Sequence, residues 1–593
     1  GFENKDVSNV NTYTVTGIGS ESGVGSGTSY YYRVRSYNVA STSSNSGTII
    51  VLAAPMAWSA DNIILTGFNA NWRHVTGAVK YFLDVATDIN FGAGTFVPGY
   101  QDLDVGYVDT HTISGLTNNT EYFYRVRAFA AGELTGNSNI ITVATLPPAP
   151  VANAATSILQ TSFTANWTSV PGGVSGYRLD VAGDAAFTNL VAGYDNLNAG
   201  NVTSRQVTGL DPGNNYYYRV RASNSGGVSD NSNTISLITL PDSPNALDAS
   251  VITETSFSAN WSSVAGAVGY IIDVSTNSGF TNGSFVSGCQ NKDLGGVTSY
   301  AVPGLTGGTY YYYRIRAYNA SGTGSNSNEI ATITIPESPV ALAASLITES
   351  GFTAHWNGVE GAAGYYIDLS TDNQFATFIT GYNGRNVSNA NSYPITGLTA
   401  DATYYFRVRS YNNSGTGGNS NTVMVITNPS TPLATAATDV NETSFSANWN
   451  AVAGALGYRL DVSANSTFTN DSFISGYQDK NVSGATTYPV TGLTNGTNYY
   501  YRVRAYGAGG VGSSSNVITT ITIPAAPVAT EATLVTGTSF SANWNAVKGA
   551  EGYYLDAAFD SLFTKFVTDY ENRNVSNTTT FKVAGLLVNT IYY

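Results

Sequence analysis

Six copies of one short block, SFTANW in its best form, run along this chain with tryptophans at Trp72, Trp167, Trp261, Trp356, Trp449 and Trp544. The intervals are 95, 94, 95, 93 and 95 residues, and of the seven tryptophans only Trp58 falls outside them. A period held this tightly makes the chain a string of copies of one folding unit. Arg-x-Arg pairs keep the same phase, at Arg33/Arg35, Arg125/Arg127, Arg219/Arg221, Arg314/Arg316, Arg407/Arg409 and Arg502/Arg504, and take 12 of the 18 arginines. So do P-x-x-P segments such as Pro147/Pro150, Pro241/Pro244 and Pro336/Pro339, where proline fixes φ, removes a donor and stops the preceding strand. They are read as short stiff linkers and as boundaries, although P-x-x-P is also the form of an SH3-type ligand. The expected domains are 55–147, 148–241, 242–336, 337–429 and 430–524, with partial units at 1–54 and 525–593.

In SFTANW, Phe163, Ala165 and Trp167 alternate with Ser162, Thr164 and Asn166, the period of a strand with one buried face. The next strand, GYRLDV, turns Tyr458, Leu460 and Val462 inward, and YYYRVRA turns in Tyr499, Tyr501, Val503 and Ala505. No window shows useful helical spacing. Many short strands, glycine-rich turns and about 94 residues per unit predict an all-β tandem array of antiparallel two-sheet sandwiches.

Charged residues make up only 11% of the chain, so its surface is expected to be neutral and polar. A net charge of -14 and a pI near 4.6 argue against a nucleic-acid partner and against an anionic membrane surface. One cysteine excludes a disulfide framework. Cys289 stands where other copies carry Tyr100, Tyr194, Tyr382, Tyr477 and Tyr570, so it is read as a drifted core or half-buried position. The opening GFENKDV matches GYQDKNV around Tyr477 inside a complete repeat, and no signal peptide, transmembrane run or sorting tail is evident. The chain is therefore expected to be a stretch of a longer protein, with no membrane insertion in this segment.

LDPGNNYYYRVRA at Leu210 to Ala222 resembles the corner and following strand of fibronectin type III domains, a leucine with a tyrosine six residues on and then alternating apolar residues. Leu116/Tyr122, Leu305/Tyr311, Leu398/Tyr404, Leu493/Tyr499 and Leu586/Tyr592 repeat it. In the related sandwich motif such a tyrosine bonds back to the backbone of its corner. The wording SFTANW, GYxLDVS, TGL, YYYRVRA and NSN further resembles type III modules of large secreted and surface proteins of Bacteroidota. That resemblance implies export by the type IX system and a role in adhesion, gliding, attachment or spacing.

An aspartate recurs in the GYxLDV strand at Asp84, Asp180, Asp273, Asp368, Asp461 and Asp556. If that strand lies beside the Arg-x-Arg strand, Asp84 is expected to pair with Arg125 and Arg127, Asp180 with Arg219 and Arg221, Asp273 with Arg314 and Arg316, Asp368 with Arg407 and Arg409, and Asp461 with Arg502 and Arg504. Exposed cross-strand pairs contribute little each. A row of arginines that binds a ligand is the alternative reading. Outward aromatics beside them, Tyr31, Phe123, Tyr217, Tyr312, Tyr405 and Tyr500, form a candidate contact stripe, since tyrosine and arginine favour interfaces. Cross-strand aromatic cover and carbohydrate stacking are the other readings of the same stripe.

No catalytic, metal or cofactor-binding residues are assigned. His74, His111 and His355 fall at different positions in different repeats, and no Ser/His/Asp set or Cys/His cluster can be assembled from them. Asp/Asn turns such as Thr371-Asp372-Asn373 offer oxygens to calcium, but the set is not repeated. The expected function is a structural, non-enzymatic segment of an extracellular fibre or appendage, spanning about 200 Å if its linkers hold it extended. Its expected partners are other copies of itself, associated laterally or by strand completion, and a cell-surface target. A spacer of a secreted enzyme and a carbohydrate-binding array are the alternatives.

Overall fold

The computed structural model describes residues 5–15 and 30–593. It holds two compact units, one of residues 1–248, 259–300 and 312–330, the other of 249–258, 301–311 and 331–593. Among the described residues the only helical element is a 3₁₀ turn at Asn470–Ser472, and the rest of the regular structure is antiparallel strand.

In the first unit, residues 148–241 show the plan. The strands are β1 (Ala152–Thr156), β2 (Ser162–Trp167), β3 (Gly176–Ala182), β4 (Leu197–Gly200), β5 (Ser204–Thr208), β6 (Asn215–Asn224), β7 (Gly227–Val228) and β8 (Ile235–Ile238). One sheet has the order β1-β2-β5; the other has β4-β3-β6-β7, with β8 also on β6. Alternation decides the core. Phe163, Ala165 and Trp167 of β2 meet Tyr177, Leu179 and Val181 of β3 and Tyr218, Val220 and Ala222 of β6, all at most 2% exposed. Removing an aromatic ring of this size from water contributes about 2–3 kcal/mol. The rings are tilted or stacked, with centroids 5.7 Å apart for Trp167/Tyr177 and 5.6 Å for Phe163/Tyr218.

Polar groups close the gaps between the strands. β7 and β8 are interrupted where Ser229 and Ser232 accept the β6 amides of Ala222 and Val220 through their hydroxyls, each at 2.9 Å. Asn233 then bridges the two sheets, accepting the Ala152 amide at 2.9 Å and donating to the Ala152 carbonyl at 3.0 Å. This is the physical sense of the repeated NSN: Asn139, Asn328, Asn421 and Asn516 make the same double bond to Ala57, Ala246, Ala341 and Ala434. Tyr218 donates its hydroxyl across the core to the Asn153 carbonyl, and burial pushes its phenol pKa upward. Its counterpart Tyr124 is pushed up to about 12 for the same reason.

The second unit repeats the plan at 337–429 and 430–524, with sheet orders that match strand for strand. Trp356 packs on Tyr365 at 5.7 Å and Trp449 on Tyr458 at 5.5 Å. Every corner tyrosine accepts a backbone amide five residues earlier: Tyr216 from Asp211, Tyr404 from Thr399 and Tyr499 from Thr494, each at 2.9 Å.

The segment before each proline linker is bonded to its own sandwich. Thr239 is fully buried, donates its hydroxyl to the Asp211 carbonyl at 2.8 Å and accepts the Asn214 amide at 3.1 Å. The Leu240 carbonyl takes the Gly213 amide at 3.0 Å. Thr145, Thr334, Thr427 and Thr522 are likewise fully buried and make the same clasp. The linkers therefore begin with no slack.

Replacing Tyr404 by phenylalanine leaves the Thr399 amide without its acceptor at a half-buried corner. The expected cost is about 1 kcal/mol, measured as faster hydrogen exchange at Thr399 and a lower denaturant midpoint for the 337–429 sandwich.

Candidate functional site

The one charged constellation that recurs in every complete repeat lies on the outer face of the larger sheet. The β3/β6 register sets Asp180 opposite Arg219 and Arg178 opposite Arg221. Asp180 Oδ2 accepts Arg219 Nε at 3.0 Å, and its two oxygens accept Arg221 Nη2 at 2.9 and 3.0 Å. A third donor comes from the backbone, the Asn196 amide at 2.8 Å. The structure brings the same groups together in the other repeats. Arg Nε to carboxylate distances are 2.9 Å for Arg125–Asp84, 3.1 Å for Arg314–Asp273, 2.9 Å for Arg407–Asp368 and 3.0 Å for Arg502–Asp461. Arg127, Arg316, Arg409 and Arg504 reach the same carboxylates at 3.4, 3.0, 3.1 and 3.2 Å. The fixed backbone donors are Asp102, Asn291, Gly384 and Asp479. Asp556 accepts the corresponding amide of Asn572 at 2.6 Å.

Alternation puts these aspartates on the solvent side, yet in the five complete repeats their side chains are only 1–3% exposed, whereas the arginines keep 20–29%; Asp556, without its arginines, is exposed. The expectation of exposed pairs is corrected accordingly. The cover is a phenylalanine seven residues after each aspartate, which sequence reasoning missed. The guanidinium carbon of Arg125 lies 4.1 Å from the Phe91 ring, Arg219 4.1 Å from Phe187, Arg314 4.2 Å from Phe280, Arg407 4.2 Å from Phe375 and Arg502 4.3 Å from Phe468. Each of these phenylalanines has φ between 48° and 59°, a backbone a bulky residue rarely adopts. A stacked, partly desolvated cation contributes about 1–2 kcal/mol, enough to hold such a turn. The fixed interval from aspartate to phenylalanine was the available signal.

Aspartates in the turn itself are committed to backbone. The Asp372 carboxylate accepts the amides of Gln374, Ala376 and Thr377, which hold its pKa down at about 2. The oxygens weighed for calcium thus serve the turn. Among the described residues no group of three or more His, Cys, Asp or Glu side chains is placed to hold a metal ion. The histidines are dispersed: His74 sits 3.6 Å from Asp109, His355 bonds Ser345 at 2.7 Å, and burial lowers the pKa of His111. Cys289 is buried at 2% exposure, which raises its thiol pKa. Among the described residues no helix is long and apolar enough to cross a membrane.

The aromatic stripe is uneven. Tyr31 is 59% exposed, and Tyr217, Tyr312, Tyr405 and Tyr500 are half-buried beside their arginines. Phe123 does not belong with them: it is buried at 8% exposure against Ala86, Phe91 and Phe96, because a side chain without a hydroxyl gains by folding under the neighbouring turn. Chemically the constellation is a closed clamp. Each carboxylate spends both oxygens on guanidinium and amide donors, so it offers neither a free base nor an open ligand position.

The family model for the Fibronectin type III domain matches residues 148–238, 242–333, 337–426 and 430–521, more than half of the sequence. The chain belongs to the fibronectin type III family. Among curated relatives, Exoglucanase B of Cellulomonas fimi is 30% identical over 53% of this chain and 28% of its own length. Chitinase A1 of Niallia circulans is 32% identical over 32% of this chain and 24% of its own. Receptor-type tyrosine-protein phosphatase eta of Gallus gallus is 25% identical over 81% of this chain and 32% of its own. The chain thus spans about a quarter to a third of these relatives.

Removing the Asp368 carboxylate as alanine strands Arg407 and Arg409 on a partly buried face. It is expected to destabilise that type III domain by about 3 kcal/mol, read by equilibrium unfolding. The Asp372 turn sets a pH signature. Its folded pKa lies below the model-peptide value of 3.8, so its contribution is complete above 3.8 and is lost as pH falls through about 2. A carboxyl titration by NMR with its midpoint near 4 would contradict that geometry.

Proposed function

We propose that this chain is a non-catalytic structural segment of a secreted or surface-displayed protein, a stalk or adhesive shaft made of tandem type III domains that holds other parts at a set distance. One observation carries the reading. The aspartate carboxylate of the charged constellation recurring in every complete repeat has both oxygens taken by donors of its own sandwich, while successive sandwiches within each unit are joined by clasped linkers. The join and the clamp recur repeat after repeat. The finer placement, an appendage exported by the type IX system of Bacteroidota and used for attachment, gliding or capture of other cells, rests on the wording of the repeat. The half-buried tyrosines beside the arginines support contact with other copies of the chain through that face.

A second reading is favoured by the relatives. Exoglucanase B and Chitinase A1 are named as enzymes on polysaccharides, and each aligns with this chain over about a quarter of its own length. On that reading the segment spaces a catalytic domain from its anchor or substrate, which leaves its physical task unchanged.

The test is graded removal of whole repeats in the native protein, with an unrelated rigid spacer of equal length as rescue. A stalk loses cell attachment, or hydrolysis of an insoluble substrate, in proportion to the repeats removed, and the spacer restores it. Loss that the spacer does not restore would mean that a ligand-binding surface on the repeats does the work.

A further inference from the structure

From the 55–147 domain onward, successive type III domains meet through a recurring pair of positions, joined at four of the five junctions by a second pair. In the first pair, the turn before β6 of one sandwich touches the turn before β3 of the next. The contacts are Asn119 with Gly172 and Gly213 with Gly266 in the first unit, and Gly308 with Gly361, Asp401 with Gly454 and Gly496 with Gly549 in the second. A Cβ on Gly266 would lie 2.0 Å from the Gly213 carbonyl oxygen, and one on Gly361 1.9 Å from that of Gly308. Where both partners are glycine they sit at positive φ, for example 66° at Gly213 and 69° at Gly266, and the contact is backbone on backbone; at the other two junctions the Asn119 and Asp401 side chains lie against Gly172 and Gly454.

The second pair is not uniform. It joins the β6–β7 hairpin turn of one sandwich to the residue that opens the preceding linker. At three junctions the hairpin carries asparagine and the linker an aliphatic residue. Asn224 donates to the Thr145 carbonyl beside Leu146, Asn319 to Thr239 beside Leu240, and Asn412 to Thr334 beside Ile335, each at 2.8 Å. The aliphatic side chain fills the space over a hairpin glycine; a Cβ on Gly227 or Gly415 would lie 2.9 Å from Leu146 or Ile335. At the fourth junction both residues change. The hairpin has Gly507, which has no side chain to reach Thr427, and the linker has Asn428, which is 9% exposed. Asn428 donates back to the Ile347 carbonyl of its own sandwich at 2.9 Å and forward to the Val511 carbonyl of the next at 3.0 Å. A Cβ at Gly507 would meet Pro429 at 2.8 Å and the Asp401 carboxylate at 3.0 Å. The bond across the boundary is kept, with the donor moved from the hairpin to the linker.

We propose that these two positions form a pairing code that determines which repeat can follow which: an asparagine hairpin docks on a linker opened by Leu or Ile, and a glycine hairpin on one opened by Asn. The 430–524 domain thus fits behind 337–429, and the other domains do not offer it the matching surface. Repeats with near-identical cores are thereby kept in order by their junctions.

The experiment uses the full chain and the rate of proteolytic cleavage at the linker, with fragment masses locating the cuts. Asn428→Leu and Gly507→Asn, made singly, are each expected to speed cleavage at 427–433 about fivefold, the opening that follows loss of one hydrogen bond. The double variant is expected to be cut more slowly than either single variant, since Gly507→Asn regains the hydrogen bond while its Cβ must still displace Pro429 and Asp401. Cleavage in the double variant as fast as in the singles, or singles that cut no faster than wild type, would overturn the code. Should cuts move inside a sandwich, the reciprocal exchange decides in the same way: Ile335→Asn with Asn412→Gly at the preceding junction. A whole-repeat variant gives an independent reading. Deleting 242–336 sets Leu240 against Asn412, a matched pair, whereas deleting 337–429 sets Ile335 against Gly507. Equal protection of the two new junctions would refute the proposal.

Discussion

A carboxylate that is nearly shut off from water has to be paid for by donors, and in this protein that constraint organises each repeat. An uncompensated buried charge costs several kcal/mol, so Asp180 and its counterparts are tenable only with guanidinium and amide donors in place. Meeting that demand fixes three things together: the register of β3 on β6, the return of the chain that presents the Asn196 amide, and the turn that brings Phe187 over Arg219. A slip of one residue between the two strands would turn either the aspartate or both arginines into the apolar core. The clamp is thus a register pin whose failure is expensive.

The clamps also shape what the surface presents. With ten arginines and five aspartates locked in the five complete repeats, 15 basic and 34 acidic residues remain for the rest of the chain. Cations are scarce, and in each complete repeat two of them are tied to one buried aspartate on the outer face of the larger sheet. Contact through this face would have to rely on ring surface and neutral hydrogen-bonding groups instead.

Much of the fold was legible because period-2 alternation is local. Phe163, Ala165 and Trp167 declare their face without help from the rest of the chain, and the tyrosine six residues after Leu210 identifies the corner it closes. Legibility failed where the deciding contact lay outside the strand. Alternation places Asp368 on the solvent side, and only the turn carrying Phe375, with its uncommon backbone, hides it. Phe123 was misplaced for the same reason, since the burial comes from Phe91 and Phe96 across a turn. The asparagines of NSN looked like loop composition, although Asn233 bridges two sheets through partners 81 residues apart.

The junctions carry this lesson furthest, because their partners lie in different repeats. Gly172, Gly266, Gly361, Gly454 and Gly549 read in sequence as ordinary turn glycines, a role their positive φ fits. The structure adds a second demand on Gly266, Gly361 and Gly549, an approach to the backbone of Gly213, Gly308 and Gly496 so close that a side chain would separate the two sandwiches. A residue held by two independent constraints tolerates less drift than one held by either. The hairpin and linker positions are held by one constraint each, shared across a boundary, so they can change only as a pair. Gly507 and Asn428 have changed in that way, and the conserved quantity at a junction is therefore the bond between two sandwiches, with the identity of the residues that make it free to move from one side to the other.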